Sequence, residues 1–254
     1  LKNIIDSNQV HLKKQKMNKV LQIRAGMIGM MCLLTVCLSS CLKNGPVPIS
    51  NDSQIAQLSV INAAPSTQAV DFYYDQTKLN PTALAYGGGL DYINIPTGTK
   101  TATFYLTGTQ QVIKTAPIYT EPNIHYSLFL SNVLTAPDFL LLADTINNPP
   151  NPNNVGLIRF VNLSTDPQAV DLGITGTNSA IVQNKSYKGY SNFVQISGNT
   201  VTLEVRKTGT SIVLCNLTNV ALQRGTVYTA YLRGFAAATD QTKLTLSVQA
   251  NGSF

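Results

Sequence analysis

The sequence predicts an all-β chain: two tandem antiparallel immunoglobulin-like β-sandwich domains behind an N-terminal export signal. Three observations point there. Runs such as Thr101-Ala102-Thr103-Phe104-Tyr105-Leu106 and Thr200-Val201-Thr202-Leu203-Glu204-Val205 alternate with period two and are rich in β-branched and aromatic residues. A set of short motifs recurs about one hundred residues further on. Beyond residue 41, no segment carries a sustained stripe of period 3.6.

Residues 1–40 read as a signal peptide. A basic run (Lys13, Lys14, Lys16, Lys19, Arg24) leads into the apolar residues 25–38, and Ser39-Ser40-Cys41 follows. That order of charged, apolar and small residues is the order of an export signal. The apolar part has 14 residues, short of the roughly 20 that span a hydrocarbon core. Met17 opens a conventional signal, so residues 1–16 read as an over-called start, with a long basic region as the alternative. Leu38-Ser39-Ser40-Cys41 resembles the bacterial lipobox, whose cysteine is lipidated and becomes the new N-terminus. The resemblance implies a lipoprotein signal and an acylated Cys41 holding the mature chain to a membrane. Several acyl chains anchor firmly at about 0.8 kcal/mol per buried CH₂, where one chain is marginal. Residues 41–55, with Pro46 and Pro48, read as a tether.

Cleavage before Cys41 changes the charge argument. Six of the 18 bases and one of the 12 acids precede it, leaving 12 bases, 11 acids and a net charge of +1 in place of +6. Nucleic-acid binding needs a basic stripe, and the mature part has none longer than Arg206-Lys207, so nucleic acid is rejected as a partner. Cys32 and Cys37 leave with the signal and Cys41 takes lipid. Cys215 remains alone, so no intrachain disulfide is expected, and it reads as a small apolar residue of its strand.

The repeat defines the domains. Ile61-Asn62 and Gln68-Ala69-Val70-Asp71 recur as Val161-Asn162 and Gln168-Ala169-Val170-Asp171; Thr107-Gly108-Thr109 recurs as Thr208-Gly209-Thr210. Domain one is expected over 56–146 and domain two over 155–254, joined by a Pro/Asn linker at 147–154 whose prolines lack ladder donors. Seven strands are expected in the first unit, near 56–62, 68–74, 91–95, 99–106, 111–119, 124–131 and 138–143. Their counterparts are expected near 155–162, 168–174, 190–196, 199–206, 211–220, 226–234 and 244–249. Thr107-Gly108-Thr109 and Thr208-Gly209-Thr210 read as hairpin turns. About seven short strands per unit suggest the immunoglobulin-like class, without its Cys…Trp…Cys signature because the chain has no Trp.

Units that open on an Ile/Val-Asn pair, continue through Ala-Val-Asp and reach Ile95-Pro96-Thr97-Gly98 resemble a "domain of unknown function" family found, often in pairs, in bacteroidete-type envelope lipoproteins. The resemblance covers most of residues 55–250. The second unit departs from it at Ile196-Ser197-Gly198, which lacks the proline. It implies a sandwich-like fold and an envelope location, and no activity.

A search for chemistry finds no catalytic set. His125 is the single mature imidazole, and it sits in the alternating run His125-Tyr126-Ser127-Leu128, where it reads as solvent-facing. H-E-x-x-H, C-x-x-C and G-x-S-x-G patterns do not occur in the mature chain. Tyr86-Gly87-Gly88-Gly89-Leu90 lacks the flanking elements of a phosphate loop and reads as a turn or strand kink. Asp71 and Asp171 hold equivalent positions, but calcium takes 6–8 oxygen ligands, and only the non-equivalent Asp75 and Asp166 lie near them. Both aspartates read as acceptors for turn and strand amides, and neither a metal nor another cofactor is expected. Tyrosine is the suggestive residue: Tyr86 and Tyr92, then Tyr187 and Tyr190, bracket the glycine-bearing loop of each unit. Exposed pairs there could stack on sugar rings or anchor a partner; the bland reading seals a sandwich edge with hydroxyls in water. Asp144-Thr145-Ile146 resembles a bacteroidete O-glycosylation acceptor, which makes Thr145 a modification candidate.

The expectation is a non-enzymatic, lipid-anchored envelope protein, with the outer membrane favoured and its periplasmic and surface faces both open. It acts as a structural or protein-interaction module, or alternatively as a carbohydrate-binding accessory through Tyr86, Tyr92, Tyr187 and Tyr190. An enzyme is the third reading.

Overall fold

Alternating strands leave one apolar face each, and such faces must be buried against another sheet. The computed structural model describes residues 54–66, 68–146 and 154–253; Cys41, the expected signal at 1–40 and residues 147–153 of the expected linker lie outside them. The described residues contain sixteen strands and no helix, so no helix among them is long and apolar enough to cross a membrane. All of them belong to one compact unit, Asp52–Phe254.

The first eight strands are β1 (Ile55–Asn62), β2 (Val70–Tyr74), β3 (Thr77–Lys78), β4 (Gly89–Pro96), β5 (Gly98–Leu106), β6 (Val112–Thr120), β7 (His125–Ser131) and β8 (Asp138–Ala143). They form two sheets of order β4-β1-β7-β8 and β3-β2-β5-β6. The next eight are β9 (Val155–Asn162), β10 (Val170–Ile174), β11 (Ala180–Lys185), β12 (Val194–Ser197), β13 (Thr200–Lys207), β14 (Val213–Ala221), β15 (Thr226–Arg233) and β16 (Thr245–Ser253). Their sheets, β12-β9-β15-β16 and β11-β10-β13-β14, repeat the same order.

Each sandwich closes on its own core. In the first, Leu58, Val60, Phe72, Phe104, Leu128 and Leu130 are fully buried between the sheets, with the Phe72 and Phe104 rings 5.0 Å apart. In the second, Ile158, Phe160, Leu172, Leu203 and Leu232 do the same. The repeated asparagine explains one motif. Asn62 donates to the Leu84 carbonyl at 2.9 Å and accepts from the Ala64 amide at 3.2 Å. Asn162 bonds Lys185 and Ser164 in the same way, both at 3.0 Å. Each buried side chain thus pins the strand exit to the opposite wall. The hydroxyls of Tyr126 and Tyr228 accept the amides of Glu121 and Gln223, each five residues upstream, locking the turns before β7 and β15.

The strand order departs from the sequence expectation in three ways. β1 pairs with β7 in parallel, as β9 does with β15, so the sheets are not wholly antiparallel. A parallel neighbour needs a crossover, supplied here by the passage through β2, β5 and β6 of the facing sheet. β1 and β2 therefore lie in opposite sheets, unlike the immunoglobulin order, where the first two strands share one. Each sandwich also gains an eighth strand, β3 or β11, at the edge beside β2 or β10. β11 escapes the alternation rule because Asn184, within it, takes a left-handed backbone conformation (φ 56°).

Candidate functional site

Strands β1 and β9 are buried on both faces. Leu58, Val60, Ile158 and Phe160 point into the two cores. The intervening side chains point the other way, where Ile61, Ala63, Phe129 and Leu142 of the first sandwich meet Val161, Leu163 and Tyr231 of the second. Sheet β4-β1-β7-β8 thus packs face to face on sheet β12-β9-β15-β16.

A polar network runs through this apolar contact. Arg159 on β9 and Asp144 just beyond β8 form an ion pair, with side chains 3% and 2% exposed. Arg159 Nε donates to Thr229 Oγ1 at 2.8 Å and Nη1 to the Ala143 carbonyl at 3.2 Å. Thr229 donates to Asn251 Oδ1 at 2.7 Å, and Asn251 Nδ2 donates to the Tyr92 hydroxyl at 2.6 Å. The circuit closes as Tyr92 and Ser127 donate to Asp144. Burial pushes the Asp144 carboxyl above its ordinary value, opposed by Arg159, Tyr92 and Ser127. Burial and the Asp144 charge raise the Tyr92 hydroxyl, keeping it a proton donor. A buried charge is tolerated when paired and fully hydrogen-bonded, and this one meets both conditions.

Two tyrosines cross the contact reciprocally. Tyr187, from the second sandwich, places its hydroxyl 2.9 Å from Ser131 Oγ on β7. Tyr86, from the first, lies under the Arg233 guanidinium of β15 at 4.4 Å from the ring centroid. Lys188 adds an ion pair to Asp138 at 2.8 Å.

Along one side of the contact, β8 and the segment leading into β12 leave a groove of about 350 Å³. Leu141, Ala143 and Thr145 form one wall; Tyr190, Asn192 and Phe193 form the other. Arg159 lies at its floor, its guanidinium 4.9 Å from the centre of the Phe193 ring. Binding sites favour such junctions, with apolar and aromatic walls and a few polar groups. The groove can hold a short extended segment or a ring system. Its floor offers hydrogen bonds already engaged within the protein, and no group poised for proton transfer.

The residues singled out by the sequence separate here. Tyr190 is 49% exposed and lines the groove. Tyr86, Tyr92 and Tyr187 are half-buried between the sandwiches, so the exposed pairs expected around each glycine loop are not brought together. The cause is the second sheet: the Tyr92 and Tyr187 hydroxyls meet Asn251 and Ser131 across the contact, and the Tyr86 ring is covered by Arg233. Thr145 is exposed at the groove, beside the buried Asp144 of its motif. His125 begins β7, exposed, its ring 5.4 Å from that of Tyr92. Asp171 accepts from the Asn184 amide at 2.7 Å, Thr208 Oγ1 at 2.8 Å and the Gly209 amide at 3.3 Å. Asp71 accepts from Asn80 and Lys78, both at 2.9 Å. Both aspartates thus tie turns to strands. Among the described residues no group of three or more His, Cys, Asp or Glu could hold a metal ion. Cys215 is half-buried, and burial pushes its thiol up to about 11. Sequence reasoning missed Arg159, Asn251, Phe193 and Gln249, whose Nε2 donates to Ser59 Oγ across the contact at 2.7 Å. One signal was readable: Arg159 interrupts the apolar run Leu157-Ile158-Arg159-Phe160-Val161, and an unbroken run marks a strand buried on both faces.

Fold and groove define a β-sandwich protein whose two sandwiches are joined face to face. Residues 56–173 match the model of a family described as a domain of unknown function, DUF4397; the match runs past the expected linker into β10. No curated protein matches the chain. Among solved structures it is similar to a family 26 carbohydrate-binding module of Eubacterium rectale in complex with maltoheptaose, at 10% identity and a TM-score of 0.24, covering 77% of this chain and 96% of that one. It is also similar to family 41 carbohydrate-binding modules from streptococcal virulence factors, whose subject is α-glucan recognition. There the identity is 10% and the TM-score 0.22, covering 68% of this chain and 92% of that one. At these TM-scores the likeness carries no argument about ligand.

Proposed function

We propose that this protein is a non-catalytic, lipid-anchored interaction module of the cell envelope, held by Cys41 and presenting the groove between its sandwiches to a protein partner. The groove carries this reading. Its two walls come from different sandwiches, and the network of Arg159, Asp144, Tyr92, Thr229 and Asn251 fixes their spacing. A preformed aromatic-walled groove offers an anchor such as Tyr190 at little ordering cost.

Two measurements test it. Cys41→Ala should abolish acyl labelling of the chain in cells, and retained labelling would remove the anchor. A photoreactive phenylalanine analogue at Tyr190 should cross-link an envelope protein that the same probe at exposed Tyr119 does not reach. Equal adducts at both positions would remove the groove.

A glycan ligand is the second reading. The exposed Tyr190 ring beside the Thr145 hydroxyl and the Asn192 amide favours it. Sugar binding lost in Tyr190→Ala, with no cross-linked protein, would put it first.

A further inference from the structure

The two outer sheets, turned away from the contact between the sandwiches, differ in what covers their middle strands. In the first sandwich, Tyr73 on β2 and Tyr105 on β5 cover the sheet, their rings 4.9 Å apart and edge to face. Strand registers put Gly173 and Arg206 at the equivalent positions of the second. Loss of both rings opens a cleft of about 530 Å³ above β10, β11 and β13.

Its floor is built. The Arg206 guanidinium lies over Gly173, where an added Cβ would stand 3.3 Å from Arg206 Cζ. Arg206 Nε donates to Glu204, and Nη2 donates to the Thr177 carbonyl at 2.7 Å. Glu204 accepts a further bond from Thr175 Oγ1 at 2.6 Å. The Arg206 and Glu204 side chains are 12% and 7% exposed, a paired floor rather than a pair of solvated surface charges. Rising around it are the neutral groups of Thr177, Asn178, Gln183, Thr210 and Ser211.

This arrangement narrows the ligand. An anion would meet Asp171 and Glu204 as well as the neutralised Arg206. A cation would find both carboxylates already engaged, Asp171 by Asn184, Thr208 and Gly209 and Glu204 by Thr175 and Arg206. An apolar ligand would find Ala180 as the single apolar side chain of the lining. What remains is a neutral ligand rich in hydroxyls, able to donate to and accept from amides and hydroxyls. We infer that the cleft over Gly173 and Arg206 is a saccharide-binding site for neutral glycans, distinct from the groove between the sandwiches.

The test uses the detergent-solubilised full chain in titration calorimetry. Probes are neutral linear glucans and mannans, with polygalacturonate as the acidic counterpart. Binding to a neutral glycan is expected. Gly173→Tyr/Arg206→Tyr, which installs the pair of the first sandwich, should weaken it at least tenfold. Asn178→Ala/Gln183→Ala trims only exposed side chains and should weaken it several-fold, which keeps the inference testable if the first variant folds poorly. Tyr119→Ala, on the outer sheet of the first sandwich, should bind as the parent does. Absence of neutral-glycan binding, preference for polygalacturonate, or unchanged affinity in the Asn178/Gln183 variant would overturn the inference. Loss on Tyr190→Ala with the cleft variants unaffected would do so too, by moving the ligand to the groove.

Discussion

The first sandwich turns Ser59, Ser127 and Asp144 towards the contact; the second turns Arg159, Thr229 and Asn251 from the corresponding strand positions. The strand order is the same, and the chemistry is complementary rather than identical. Two copies of the first surface would bury two Asp144 carboxylates opposite Ser59. Two copies of the second would bury two Arg159 guanidiniums opposite Asn251. Either pairing strands charges without a counter-ion, which a low-dielectric contact penalises heavily. One charge of each sign makes the mixed pair the favoured one, and so specifies which sandwich meets which.

The largest effect should come from breaking that asymmetry. Arg159→Met or Asp144→Ala alone leaves a buried charge unpaired and should cost about 3–5 kcal/mol in denaturant unfolding. Removing both, as Arg159→Met/Asp144→Leu, should restore most of that loss. Ser59→Ala, at the position matching Arg159, should cost only about 1 kcal/mol. Equal costs at Ser59 and Arg159 would erase the distinction between the surfaces.

Where the sandwiches agree, substitutions should cost alike. Asn62→Ala and Asn162→Ala each remove a bond to a carbonyl of the opposite wall and leave one buried amide, of Ala64 or Ser164, without its acceptor, about 1–3 kcal/mol apiece. A large difference between them would mean the shared motif does different work in each half.

Acid should loosen both sandwiches and the strap between them. Burial acts to raise Asp138, but Lys188 and the Phe139 amide outweigh it and hold its carboxyl below 3.8. Asp71 is lowered in the same sense by Lys78 and Asn80, again against burial. In the second sandwich, the Thr175 hydrogen bond and Arg206 hold Glu204 below 4.5, with burial opposing. A carboxylate depressed in the folded state contributes stability that is present above its unfolded value and lost as pH falls through its folded one. The melting temperature should therefore fall as pH drops below about 4, and Asp138→Asn should make the decline shallower.

The smallest effect sharpens the comparison of turns. Gly108 and Gly209 take φ of 75° and 71°, and a Cβ at either meets nothing within 4 Å. Ala at either position should cost about 1 kcal/mol from backbone strain alone. A much larger loss at one of them would reveal a contact that the other lacks.

These contrasts also explain what could be read from the chain. Thr101–Leu106 alternation, the Gly108 and Gly209 turns and the Asn62/Asn162 repeat are local, and local sterics decide them. The parallel pairing of β1 with β7 is not local: period two says which face a residue takes, never which strand lies beside it. Tyr86, Tyr92 and Tyr187 were ambiguous for a related reason. A phenol is served equally by water or by a facing sheet, and the partners on the facing sheet lie 56 residues (Tyr187 to Ser131) and 159 residues (Tyr92 to Asn251) away in sequence. Arg159 was the legible hint, a charge inside a run too apolar for one wet face.

Strand β1 has a mechanical consequence. The chain enters the described fold at Gln54, and β1 is clamped by β4 on one edge and β7 on the other, with apolar layers above and below. A pull arriving from the N-terminal side runs along β1 and loads its ladder bonds together, in shear, instead of opening them one at a time. Strain applied at that end is shared at once by the ladders of β1 with β4 and β7.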